Sequence, residues 1–200
     1  MSRISQKTLR TVQLALLAAI IILLQQIVIP LPGGLTLSLV LIPIVVGAVL
    51  FGPAAGAGLG AVFGAVVTFL VITGRAGELS TMMWLANPVV TVLVCMVKGI
   101  AAGWVAGLVA KAFRQKEFVG ILLAAAVAPV VNTGIFLTGM LTVFKGVMME
   151  FAAKIGMADA SAVYFAIVIL VGVNFIVEFA ANVILAPTVA SIVKAVRKLK

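Results

Sequence analysis

Residues 92–104 read VLVCMVKGIAAGW, twelve apolar or small residues around one lysine, Lys98. What an ammonium group does in such a stretch depends on the solvent around it. Composition identifies that solvent. Of 200 residues, 64% are hydrophobic and only 10% are charged, with a mean hydropathy of +1.37. A soluble domain carries about 25% charged residues, and a fold in water still needs a polar skin that this chain cannot supply. Its solvent is a bilayer, and residues 92–104 are part of a spanning helix.

Composition also excludes several chemistries. There is no histidine, so zinc sites, histidine-based triads and histidine proton relays are out of reach. The single cysteine, Cys95, has no intrachain partner, so no disulfide framework exists. A net charge of +9 suggests nucleic acid in a soluble protein. Here the positions of the charges point to the membrane instead.

A spanning helix needs about 20 mostly apolar residues. Six segments qualify, at about residues 8–29, 35–51, 54–73, 88–110, 118–144 and 162–193. The PLPGG turn at 30–34 ends the first, and Gly52-Pro53 separates the second from the third in a tight hairpin. The GRAGELSTM stretch from Gly74 reads as a loop. Pro129 is expected to kink the fifth helix and Pro187 to bend the end of the sixth. Between those two, MMEFAAKIGM reads as a short amphipathic helix lying on the membrane surface. The first segment is too long for a secretory signal core and lacks a small-residue cleavage site. No internal repeat or linker divides the chain, so residues 1–200 form one membrane domain.

Charge asymmetry orients it. Ten lysines and arginines precede helix one, join helices four and five, or follow helix six. Only Arg75, Lys145 and Lys154 fall on the opposite side, and Lys98 lies within a span, which accounts for all 14. The fold class expected is an all-α integral membrane protein with six transmembrane helices and both termini cytoplasmic.

Lys98 can now be weighed. A charge near mid-depth costs about 2.5–3.5 kcal/mol on insertion scales, so it should be paired or face a wet cavity. Glu178 lies at matching depth in the sixth segment. Asn174, Glu178 and Asn182 recur every four residues and so form a polar stripe on one helix face. Asn132 sits mid-way along the fifth segment, and Asn87, with Trp84 just ahead of it, begins the fourth. These groups support two arrangements. One is a Lys98–Glu178 ion pair with asparagines bonding between helices, purely architectural. The other is a solute pocket among helices four to six, open to the outside, with Trp84, Asn87, Lys98, Asn132, Asn174 and Glu178 as ligands. Trp84 and Trp104 also fit interfacial anchors.

Glycines spaced by four, at 56, 60 and 64 and at 99, 103 and 107, suit close helix packing inside the subunit, since small residues let backbones approach in lipid. Ala15 and Ala19 lie one turn apart on helix one, forming a shallow groove for internal packing or for another subunit. No nucleotide-binding loop with its lysine and serine or threonine is present. The chain can bind a solute, but nothing in it hydrolyses ATP.

Several motifs together resemble a known family. They are ALLAA in helix one, LIPIVVGAVLFGPAAGAGLGAVFG across helices two and three, VNTGIF in helix five and NFIVEFAANVILAP in helix six. The pattern is similar to the substrate-binding S components of energy-coupling factor (ECF) vitamin transporters, most of all to pantothenate-type members. Lys98 stands where those members lead one to expect arginine. The resemblance implies a non-enzymatic subunit in a prokaryotic plasma membrane that captures a vitamin such as pantothenate from outside. It implies docking on a membrane-spanning T component through Ala15 and Ala19. Two ATP-binding cassette ATPases would supply the energy, so this chain needs no cofactor of its own. The S component would then topple in the membrane, carrying its occupied pocket inward. Two other readings compete with it. One is a self-sufficient ion-coupled carrier that uses Lys98 and Glu178 as a proton relay. The other is an assembly subunit whose polar groups only knit helices together.

Overall fold

In a bilayer no water satisfies backbone N–H and C=O groups, so an apolar chain closes its hydrogen bonds on itself as helices. That is the architecture found. The computed structural model describes residues 6–27, 29–31, 35–37 and 39–198, the two short strands and residues 197–198 by backbone alone. The chain runs α1 (Gln6–Gln26), β1 (Ile29–Leu31), β2 (Leu35–Leu37), α2 (Leu41–Phe51), α3 (Pro53–Ile72), α4 (Glu78–Ala86) and α5 (Pro88–Ala112). It continues through α6 (Glu117–Thr142), α7 (Lys145–Lys154), α8 (Ala162–Tyr164), a π-helical segment (Phe165–Gly172), α9 (Val173–Ile184) and α10 (Ala186–Lys198). Among the described residues, five helices are long and apolar enough to cross a membrane: Gln6–Gln26, Pro53–Ile72, Pro88–Ala112, Glu117–Thr142 and Ala162–Ile184.

Three sequence expectations change. Helix one ends at Gln26 rather than at residue 29, because Ile29–Leu31 pairs antiparallel with Leu35–Leu37. The same pairing takes residues 35–37 out of the second apolar run, leaving α2 only 11 residues long. Hydropathy cannot tell the two fates of a short apolar run apart. The PLPGG turn between the strands falls partly on residues 32–34, outside the described residues. The expected loop from Gly74 contains a nine-residue helix, α4. Gly74 and Gly77 take positive φ angles of 72° and 93°, conformations glycine adopts freely, and Glu78 then opens α4 with its charge on the positive helix end. MMEFAAKIGM contributes to α7, whose Met148 and Ala152 are fully buried.

α6 runs through Pro129 without interruption. The last apolar run does break near its proline: α9 ends at Ile184 and α10 begins at Ala186, because Pro187 has no N–H and its ring crowds the carbonyl four residues back.

The tightest crossing is α3 on α5. Gly56 meets Gly103, Gly60 meets Gly99, and a Cβ on Gly64 would lie 2.7 Å from the Cys95 carbonyl oxygen. This is the intrasubunit packing that the glycine spacing predicts. Two apolar clusters complete the bundle. One gathers α2 with Ile21 of α1, Leu59 of α3, Ala102 of α5, Ala124 of α6 and Val189 of α10. The other joins Met83 of α4, Val94 of α5, Met140 of α6, Met148 of α7 and Phe165. The second cluster binds α4 and α7 to one end of the bundle, beside the cavity described next.

Candidate binding cavity

A cavity of about 640 Å³ opens among α4, α5, α6, α7 and the Ala162–Ile184 helix. α5 contributes Lys98, placed by its neighbour Gly99 at the α3 crossing. The ammonium nitrogen lies 5.6 Å from the Phe63 ring centroid and 5.4 Å from that of Phe136. Both rings are in cation–π range, the arrangement that costs a half-buried ammonium least without an anion.

α6 contributes Asn132 and Phe136, four residues apart and therefore on one face. Asn132 is 8% exposed, and its side-chain oxygen has no hydrogen-bond partner among the described residues. The final span adds Phe165, Ile169, Asn174 and Glu178. The π-helical segment explains how one helix face can hold all four. Phe165 and Asn174 are nine residues apart, two and a half turns of an α-helix, which would put them on opposite sides. Wider i→i+5 turns through Phe165–Gly172 bring them round together, and π-helical turns are frequent at functional sites. The Asn174 side-chain oxygen is buried without a partner among the described residues, and Glu178 is only 7% exposed.

α4 and α7 cover the cavity with Glu78 and Ser80 from one and Phe151 from the other. Lys154 ties them together: its Nζ lies 3.3 Å from Glu78 Oε1 and 4.0 Å from Glu150 Oε1. Phe151 packs edge-on against Phe165 at 6.5 Å.

The structure thus brings together Lys98, Asn132, Asn174 and Glu178 and separates the other candidates from them. Asn87 caps α5: its side-chain oxygen accepts a hydrogen bond from the Val90 N–H at 3.1 Å, with Pro88 in the first helical turn. Trp84 is half-buried on α4 and does not line the cavity, and Trp104 is exposed. Asn182, the third member of the predicted stripe, donates from Nδ2 to the Glu178 carbonyl at 2.8 Å, outside the cavity lining. The ion pair of the architectural alternative is not formed among the described residues. Among the described residues, ion pairs within 4.0 Å join Lys154 to Glu78 and Glu150, and Lys98 and Glu178 make none with each other. Ala15 and Ala19 are both exposed on α1, beside exposed Val12, Leu16 and Leu23.

Sequence reading missed the phenyl rings, Glu78 and Ser80. Phe136 alone carried a signal, its four-residue spacing from Asn132. The cavity offers a cation, the carboxylates of Glu178 and Glu78, two amides and aromatic walls. That set can hold a small polar solute, and its volume is within the roughly 300–1,000 Å³ usual for ligand pockets.

A family model described as ECF transporter, substrate-specific component, matches residues 9–190. No curated protein matches the chain.

Proposed function

The chain belongs to the family of substrate-specific components of ECF transporters, and from that premise we propose that it captures a small vitamin from outside the cell and delivers it inward after docking on a T component. One observation carries the reading. In a chain that is 64% hydrophobic, Lys98, Asn132, Asn174 and Glu178 come from three helical segments to a single cavity. Intramembrane ionisable residues mark solute pathways, and two orphaned amide oxygens in the same cavity are acceptors awaiting a ligand.

Family members are transport subunits, not enzymes. In this reading the chain is one membrane domain with six spans, α2 being the short one, and both termini face the cytoplasm of a prokaryotic cell. That orientation rests on the ten-to-three distribution of lysine and arginine. Ala15 and Ala19 form the contact with the T component, supported by their exposure on α1. Two ATP-binding cassette ATPases energise the complex, and this chain holds no cofactor. Pantothenate is the first vitamin to test, on the strength of the sequence resemblance. Lys98 would meet its carboxylate, and Asn132, Asn174 and Glu178 would meet its amide and hydroxyl groups.

The test is calorimetric titration of the purified chain with a vitamin panel. A submicromolar ligand is expected, and its absence overturns the reading. Uptake by the lone chain in liposomes under a pH gradient, abolished by Glu178→Gln, would establish an ion-coupled carrier instead.

A further inference from the structure

Within the capture reading, on which this inference rests, the charges of the cavity select the ligand's class. Among the described residues, three ionisable side chains line it: Lys98, Glu178 and Glu78. Glu78 sits at the exposed rim and is answered by Lys154 at 3.3 Å. Inside remain one ammonium and one carboxylate, which form no ion pair within 4.0 Å among the described residues. Among the described residues, neither charged group makes a hydrogen bond with the protein. Lys98 leans on two phenyl rings, whereas Glu178 is 7% exposed and feels the Lys98 charge through space without contact. A buried charge is tolerated when a partner compensates it.

We infer that the cavity is built for an amphoteric solute of zero net charge, whose acidic group meets Lys98 and whose basic group meets Glu178. With Glu178 ionised, a plain anion answers Lys98 and leaves the carboxylate of Glu178 unanswered, so the occupied cavity carries a net negative charge. A plain cation leaves the opposite imbalance. A ligand with both groups closes both ends. Between them, the orphaned oxygens of Asn132 and Asn174 accept from N–H or O–H donors on the ligand's middle. The class is a small, donor-bearing, amphoteric molecule, which departs from the pantothenate expectation because pantothenate is an anion.

The experiment ranks ligands by charge. The purified full chain is titrated with anions (pantothenate, biotin, nicotinate), a cation (thiamine) and amphoteric compounds of zero net charge (carnitine, β-alanine). The tightest ligand is expected to be amphoteric, at least tenfold ahead of every anion. Glu178→Gln should weaken it at least tenfold and move the ranking toward anions. Lys98→Gln should weaken it similarly and move the ranking toward the cation. An anion or cation at the head of the wild-type ranking overturns the inference and leaves the capture reading standing. Binding of the amphoteric ligand that stays within twofold in Glu178→Gln also overturns it. If no compound binds, both fail. Should either variant misfold, the wild-type ranking decides alone.

Discussion

Gly60 and Gly99 pack backbone against backbone where α3 crosses α5, and a methyl group built on either would run into the other's carbonyl oxygen. The contact fixes the position of Lys98, one residue away, over the Phe63 ring of α3. Gly60→Ala should therefore destabilise the bundle by about 1–3 kcal/mol, the usual cost of overpacking. Gly58→Ala, two residues along with open space around its Cβ position, should be neutral or stabilising by up to about 1 kcal/mol. Thermal unfolding in detergent separates the two. Equal melting points would mean that α3 and α5 are not locked at this crossing.

Asn132 illustrates a conflict between stability and binding. Its orphaned, buried oxygen should cost the empty protein about 1–3 kcal/mol. Asn132→Leu, of similar size, removes that cost and the acceptor together. The variant should melt higher than the parent and bind the cognate vitamin at least tenfold more weakly. Melting temperature and titration on the same preparation check both halves. A lower melting point would show that Asn132 has a structural partner.

How much of this was legible in the sequence depends on what each feature does to hydropathy. Long spans are visible because lipid demands about 20 apolar residues, and Lys98, Asn132, Asn174 and Glu178 stand out against that background. The π-helical turns at Phe165–Gly172 are not visible, since FAIVILVG is uniformly apolar and has no periodicity to read. The phenyl walls are hidden for the same reason: Phe136, Phe151 and Phe165 resemble any core residue until the fold places them. α4 was obscured by its own polar residues, Glu78, Ser80 and Thr81, which lower hydropathy without breaking a helix. Asn87 was readable another way, as asparagine followed by proline at a helix start is a cap signal.

Lys154 and Glu78 hold α4 to α7 across the cavity. Their side chains are 48% and 60% exposed, so the pair contributes little to global stability, on the order of 0–1 kcal/mol for exposed ion pairs. Its effect should be local and kinetic. Lys154→Met should leave the melting temperature nearly unchanged and speed vitamin release several-fold, because the covering helices separate more readily. Stopped-flow dissociation tests this. Raising salt should accelerate release from the parent by screening the pair, and should have little effect on the variant. An unchanged release rate in Lys154→Met removes α4 and α7 from the path of exit.

Ala15 and Ala19 lie on the least embedded helix of the bundle. Of the described residues of α1, only Ile21 is buried, and large apolar side chains flank the alanines in the open. Lipid can cover such a face, but a pair of small residues one turn apart gains nothing from lipid, whereas it lets a partner helix approach closely. Ala15→Trp would fill the groove without touching the cavity, which draws no lining from α1. The isolated variant should therefore bind its vitamin as tightly as the parent and melt at the same temperature. Once the T component and ATPases are identified, co-purification with them should fall at least tenfold, and ATP-driven uptake in proteoliposomes should fall with it. Ala15→Ser, which keeps the residue small, should restore both. Full uptake by Ala15→Trp would move the docking surface off this face of α1.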